Sequence, residues 1–386
     1  MKNEITDLNS LYAAFRAARK NSAWKPQVQQ FEWNFLSGII DLKKQLEDET
    51  YRTSNHTEFL LNERGKTRPI TGLQMQDRVV RHALCDERLT PAVIPYLMYD
   101  NGASQKGRGV DFQRRRLKAH LHRYFARHGS NEGYVLLIDF SKYYDNILHD
   151  KAMEMLEHYA DPDGDIRWIL SHIFDEYAVD VSTMSQEEID RATEGIFNSV
   201  KHRLEHPERG GNREKLMHKS VQVGDQMSQI IGVSYPIRID NYIKIVRGMK
   251  FAGRYMDDTY IISDSKEELR SVLNGIRSIA GELGIHINDK KTHICKISRP
   301  FCFLQHNYTL TATGHIVERI RRPAIVRMRR KLKKLMLKVK MGERLEPDIR
   351  DMFMSWMKAR RRVLTRKQKQ SLYRLYNELA KEAKHG

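Results

Sequence analysis

Apolar positions at helical spacing open the chain. Leu8, Leu11, Tyr12 and Phe15 fall on one face, as do Phe31, Phe35, Ile39 and Leu42, so residues 1–50 are expected to be helical. At 57–71 the pattern changes: TEFLLNERGKTRPIT reads as a strand, a Gly-centred turn at ERGK and a second strand. Helical spacing returns over 75–96, stopping near Pro95, and again over the basic stretch 111–128. Between these two lies DNGASQKGRGV at 100–110, which holds three glycines together with Lys106 and Arg108. That composition suits close backbone approach to a phosphate, without being a Walker motif. YVLLIDF at 134–140 is an unbroken apolar run ending on an acid, the pattern of a buried strand that delivers Asp139 at its end.

Beyond it, 161–219 is polar and charged, with a helical stretch near 186–204 and a Gly/Asn break at 210–212, and reads as an insertion. Residues 226–246 have helical character interrupted near Pro236, which can neither donate an amide nor clear the preceding turn. KFAGRYMDDTYIIS at 250–263 predicts strand, turn and strand, the turn holding two adjacent acids. An amphipathic helix is expected over 266–283, followed by IHIND, a Lys-Lys-Thr and a hairpin-like CFLQHNYTLTATGHIVE at 302–318. A basic, mostly helical region closes the chain, and no internal repeat or low-complexity linker interrupts it.

Composition narrows the class. At 386 residues, 40% apolar and 30% charged, the chain can bury the cores of two or three subdomains. No run approaches the ~18 apolar residues of a membrane span, and MKNEITDLNS lacks the features of a signal peptide. Cys85, Cys295 and Cys302 are odd in number and scattered, which points to a reducing cytoplasm and away from a disulfide framework or zinc finger. The net charge of +18 is concentrated: residues 320–386 hold 22 Lys or Arg against 6 Asp or Glu, leaving +2 for the rest. A basic end on a near-neutral body is an electrostatic footprint for nucleic acid.

Asp257 and Asp258 stand side by side in a tight turn between apolar strands. Adjacent carboxylates repel, and a cation offsets that repulsion. Mg²⁺ takes few protein oxygens and keeps the rest of its shell for water and phosphates. With Asp139 as a third acid, the set suits a two-metal clamp, one ion activating an attacking hydroxyl and the other stabilising the leaving oxygen. Asp145 is left out, because the NILH after it suggests a helix start where an acid caps backbone amides.

These segments, in this order, resemble the bacterial reverse transcriptases. LLIDFSKYYDNILH at 136–149 is similar to motif A, GDQMSQIIGVSYPIRIDNYIK at 224–244 to motif B, RYMDDTYII at 254–262 to the motif C hairpin and INDKKTHI at 287–294 to motif D. FCFLQHNY at 301–308 resembles the primer-grip hairpin, and ERGKTRPI at 63–70 the finger strands that bind an incoming triphosphate. The resemblance implies an α+β right hand: N-terminal extension and fingers at 1–135, a palm of antiparallel sheet and helices at 136–318 with the insertion at about 161–219, and a helical thumb at 319–386. It implies an RNA-directed DNA polymerase that uses two Mg²⁺ ions, with Mn²⁺ as a substitute.

Residue by residue, the resemblance gives Asp139, Asp257 and Asp258 the metals, helped by the Phe140 carbonyl, and gives Lys66 and Arg68 the triphosphate. Lys290 or Lys291 is the motif D lysine, a candidate proton donor to pyrophosphate, and the sequence leaves the choice open. Tyr144 is the aromatic gate that clashes with a ribose 2′-hydroxyl, while Gly224 and Gln226 belong to the substrate-facing motif B. Arg321, Arg322, Arg329, Arg330, Lys333 and Lys334 are candidate nucleic-acid contacts. Expected partners are an RNA template, including a dedicated noncoding RNA, the cDNA product and dNTPs, with an accessory protein or a second copy left open and no membrane. One departure stands out: Val223 occupies the position where many members have Gln, and the motif continues DQMSQ. That ending resembles diversity-generating and defence-associated enzymes, so the expected role is antiviral defence, with diversity generation as the alternative. Template-independent or RNA-synthesising polymerase activity stays open beside them, as does a role as an inactive RNA-binding component.

Overall fold

The computed structural model describes residues 2–54, 57–63, 65–206 and 214–384. The Gly/Asn break at 210–212 and the Lys66 side chain lie outside the described residues. The chain divides into two compact units. One comprises Met1–Gln113, Leu137–Ile261 and Glu267–His293, and the other Arg114–Leu136, Ile262–Lys266 and Ile294–Gly386.

In the first unit, the helices Leu8–Arg19 and Phe35–Glu47 bury Leu11, Phe15, Ile39 and Leu42 of the expected faces, but Leu8 and Tyr12 are exposed, because the buried face runs instead through Ala14 and Ala18. Asp7 caps the first of them, accepting from the amides of Asn9 and Ser10. Thr57–Glu63 and Lys66–Gly72 pair antiparallel, Glu63 opposite Lys66, around Gly65, whose φ of +76° a side chain would resist. The central strand Asp258–Ser263 lies between Phe251–Tyr255 and the strand that ends at Ile138. Its residues from Thr259 on are buried, and so are Leu137 and Ile138, which is why the strand ending at Ile138 reads as a continuous apolar run.

The helical segment 226–246 breaks where the sequence predicts. Gln226–Ser234 ends before Pro236, and Ile237–Asn241 follows it. Because Pro236 has no N–H, the Gly232 carbonyl lacks its usual helical donor, and the Tyr143 hydroxyl donates to it instead at 2.8 Å.

Of the stretch expected as an insertion, the helix Arg167–Tyr177 is buried against the body of the unit, and only the part at 179–217 folds as a small satellite. Val179–Asp180 pairs antiparallel with Leu216–Met217, and Val181, Phe197 and Met217 form its core. Ser185 and Glu188 make a reciprocal capping box for the helix Gln186–Glu194. Two ties hold the segment. The Lys219 ammonium, 1% exposed, donates to the carbonyls of Ala192, Thr193 and Gly195 at 3.0, 3.0 and 2.7 Å, and burial lowers its pKa to about 8. Asp145 accepts from the Ser199 amide at 3.1 Å and hydroxyl at 2.8 Å. This corrects the expectation from sequence: Asp145 sits in a short helical turn and captures a distant amide, while the next helix, His149–Ala160, starts at Leu148 without a side-chain cap.

In the second unit, the segment expected to be a hairpin at 302–318 is three antiparallel strands, Phe301–Phe303, His306–Leu310 and Ile316–Ile320. Glu318 is its polar centre, accepting from Lys118 Nζ and Tyr308 Oη and paired with His306 Nδ1 at 2.8, 3.2 and 2.7 Å. The chain then forms three helices, Arg322–Lys340, Glu346–Ala359 and Arg366–Lys384. Met328, Leu332 and Met336, four residues apart, face a shared core with Phe353, Leu372 and Tyr376. Each such burial stabilises by about 1.5–3 kcal/mol. No described helix is long and apolar enough to cross a membrane.

Candidate active site

Three segments of the first unit meet around the acids. Asp139 follows the strand ending at Ile138 by one residue, and its backbone is fixed from the segment at 286–292. Phe140 and Ser141 pair antiparallel with Ile287 and His286, and the Asp139 carbonyl accepts from the Asn288 amide at 2.8 Å. A tight turn at 288–292 then brings Lys291 Nζ to Asp139 Oδ2 at 2.7 Å. The two candidate lysines, both exposed, are thereby separated: it is Lys291 that meets the acid. The pair is half open to solvent, so its role is positional, since such contacts contribute at most about 1 kcal/mol.

Asp257 and Asp258 occupy the turn between Phe251–Tyr255 and Asp258–Ser263. Met256 opens that turn with a φ of +54°, an uncommon conformation for a residue with a Cβ. Tyr144 joins the two acidic segments, its hydroxyl lying 3.7 Å from Met256 Sδ. Burial first, and then the negative charge of Asp257, push its phenol pKa up, so the ring stays neutral. The same ring covers Gly232: a Cβ there would lie 2.6 Å from the Tyr144 hydroxyl. Gly232 is therefore part of the site, a requirement that a helical glycine does not announce in sequence.

The motif B loop is set by another close approach. Gly224 has a φ of +154°, and a Cβ on it would lie 2.5 Å from the Thr71 carbonyl, so only glycine lets this loop lie against the strand Lys66–Gly72. Arg68 lies on that same strand, opposite Leu61. Asp225 caps the helix Gln226–Ser234 by accepting from the Ser228 amide at 2.7 Å, and also accepts from Tyr177 Oη at 2.6 Å. Beneath it Arg81, 1% exposed, pairs with Glu176 and lies 5.3 Å from the centre of the Tyr177 ring. Burial opposes the Arg81 charge, but Tyr177, Glu176 and Asp225 together raise its pKa. Gln226 donates to Asp86 Oδ1 at 2.6 Å. Burial alone would raise the Asp86 carboxyl, yet hydrogen bonds from His82 and Gln226 hold it below its ordinary value.

These groups border a cleft of about 820 Å³ whose walls include Arg78, Arg81, His82, Lys106, Gly224 and Gln226. The Gly-rich loop at 100–110 supplies one wall, but its two cations differ. Arg108 is spent on the loop itself, donating to the carbonyls of Tyr99 and Asn101 at 2.9 and 3.0 Å and lying over the Tyr99 and Phe112 rings. Lys106 is exposed beside the cleft.

In the second unit, the helix Arg322–Lys340 turns Met328, Leu332 and Met336 inward and leaves Arg322, Arg329, Arg330, Lys333 and Lys334 exposed. Arg321 precedes the helix at its N-cap, partly covered.

No curated protein matches the chain. The family model described as reverse transcriptase (RNA-dependent DNA polymerase) matches residues 54–308, well over half of the sequence and the span that holds all three acids, Lys291, Tyr144 and the motif B loop. The chain belongs to the reverse transcriptase family and is an RNA-directed DNA polymerase, a nucleotidyltransferase.

Proposed function

We propose that the first unit is the catalytic centre of this polymerase, with Asp139, Asp257 and Asp258 as ligands of two divalent ions, Mg²⁺ or Mn²⁺. The observation that carries the reading is the Tyr144–Met256 contact, which brings the segment that begins with Asp139 against the turn that holds the other two acids. The donors suit the ions: three carboxylates and the Phe140 carbonyl are hard oxygens. Among the described residues no three His, Cys, Asp or Glu side chains converge as ligands of one ion. Mg²⁺ needs only one or two carboxylates, with water and substrate phosphates filling its shell. When bound, the ions activate the primer hydroxyl and stabilise the leaving pyrophosphate. Lys291, whose ammonium donates to Asp139, is the proposed proton donor to that leaving group.

On this reading Lys66 and Arg68 contact the triphosphate from the hairpin, and Gly224 and Gln226 set the floor of the cleft where the template strand lies. The exposed cations of Arg322–Lys340, in the part we assign as thumb, hold the template–primer backbone. The template is RNA, including a dedicated noncoding RNA. Tyr144 excludes ribonucleotides by occupying the space of a 2′-hydroxyl.

The test is primer extension on an RNA template with deoxy- and ribonucleotides in competition. Tyr144→Val is expected to extend the primer and to admit ribonucleotides at least about tenfold more readily, a loss of steric discrimination of about 1.4 kcal/mol. Unchanged discrimination would make Tyr144 a packing residue only.

A further inference from the structure

The catalytic turn contains a residue in an unfavourable backbone conformation, and a buried arginine grips that residue. Arg254 lies just before the turn that holds Asp257 and Asp258, and it is 1% exposed. Its Nε and Nη2 fork onto both carboxylate oxygens of Asp240, at 2.8 and 2.6 Å, and Asp240 is equally buried. Nη2 also donates to the Val233 carbonyl at 2.9 Å, and Nη1 donates to the Met256 carbonyl at 3.1 Å. One guanidinium thus ties the turn to two helices, Gln226–Ser234 and Ile237–Asn241, on either side of the Pro236 break. Met256 is the residue with φ of +54°, and its neighbour is Asp257.

We infer that Arg254, oriented by Asp240, is a positioning residue that holds the Met256 peptide in its left-handed conformation and so aims the Asp257 and Asp258 carboxylates. The inference rests on the polymerase reading above. The physical basis is the fixed shape of the guanidinium. Asp240 satisfies two of its donors and sets its plane, and the remaining donors then point at carbonyls whose positions they dictate. A residue with a Cβ relaxes from positive φ unless its surroundings determine it. Here the hydrogen bond to the Met256 carbonyl supplies that determination, and a lysine cannot reproduce it, because a single ammonium has no planar fork. Arg254 touches neither substrate nor reacting atoms; it acts through the turn.

The experiment compares wild type, Arg254→Lys, and Arg254→Lys combined with Met256→Gly. Three readouts are taken: the rate of nucleotide addition against Mg²⁺ concentration, Mn²⁺ binding by the protein without substrate, and hydrogen exchange of the peptide 251–263. Arg254→Lys is expected to slow addition by roughly ten- to a hundredfold, as ångström-scale misplacement of reacting groups does. It is also expected to raise the Mg²⁺ requirement, weaken Mn²⁺ binding and speed exchange in the turn. Glycine adopts positive φ without penalty, so Met256→Gly in the Arg254→Lys background is expected to restore part of the rate and of the metal affinity. The inference is overturned if Arg254→Lys loses melting temperature but keeps wild-type metal binding, or if the added glycine restores nothing. Should Arg254→Lys fail to fold, Asp240→Asn carries the test: it keeps one acceptor, and a metal requirement unchanged from wild type overturns the inference. Absence of RNA-templated synthesis by the wild type would instead overturn the polymerase reading, while the exchange of the metal-free turn would still report on Arg254.

Discussion

Charge is handled differently around the acids and in the C-terminal helices. In the unit that carries Asp139, Asp257 and Asp258, three cations are buried on fixed partners: Arg254 on Asp240, Arg81 on Glu176 and Lys219 on three carbonyls. In the helix Arg322–Lys340, Arg330, Lys333 and Lys334 are exposed, and Arg329 reaches across to Ser371. A buried charge is intolerant of losing its partner, and so it defines a geometry. An exposed charge defines no geometry but attracts a polyanion, and salt screens it. The first arrangement suits chemistry that needs ångström precision, and the second suits a duplex that must slide.

The comparison can be broken in several places. The largest effect is expected at the acids themselves. Asp257→Asn and Asp258→Asn should each cut nucleotide addition by roughly a thousandfold or more, with the melting temperature held; ordinary synthesis by both variants would remove the metal reading. Next comes the buried cation beneath motif B. Arg81→Met leaves Glu176 buried without its partner and should lower unfolding stability by about 3–5 kcal/mol in denaturant titrations. A loss under ~1 kcal/mol would place this pair with the surface ions.

The third prediction concerns pH. Burial pulls the His149 imidazole from 6.5 to about 4, against the opposing hydrogen bond to the Ser220 carbonyl at 2.7 Å. The unfolded chain then takes up a proton between these values that the folded chain refuses. Stability is therefore full above pH 6.5 and falls as pH drops toward 4, by up to about 3 kcal/mol. His149→Gln cannot titrate and should flatten that slope; parallel curves for wild type and variant would exclude the histidine as its source. The smallest effect on the protein itself is expected in the C-terminal helices. Neutralising Arg329, Arg330, Lys333 and Lys334 together should leave unfolding stability within about 0.5 kcal/mol. The same change should flatten the log–log salt dependence of template–primer binding by roughly 3–4. An unchanged salt slope would make these cations a solvated face.

Most elements and the order of the motifs were legible in the sequence, because apolar periodicity and turn residues act locally. The break at Pro236, the acid turn and the basic helix all follow from local chemistry. What was not legible depends on contacts between distant residues. Asp145 has the local look of a helix cap, yet its partner is Ser199, 54 residues on. Lys290 and Lys291 are indistinguishable until the turn at 288–292 aims one of them at Asp139. Gly232 reads as an ordinary helical glycine until the Tyr144 ring is laid against it. Arg254 and Asp225 read as polar punctuation around better-known acids, and only burial reveals what they hold.

The two ties on the insertion bear on how such a chain closes on itself. Tyr143 and Gly232 are 89 residues apart, whereas Arg254 and Asp240 are 14 apart. For flexible chain, closing the longer loop costs only about 1.6 kcal/mol more than the shorter, because loop entropy grows with the logarithm of length. Doubling the longer loop again would add about 0.6 kcal/mol. With Asp145 fastened to Ser199 and Lys219 fastened to Ala192, Thr193 and Gly195, the intervening chain is shortened in effect to smaller loops. Segments of very different length could therefore be spliced between the first acid and the motif B helix at little entropic expense, provided each brings anchors of this kind at its two ends.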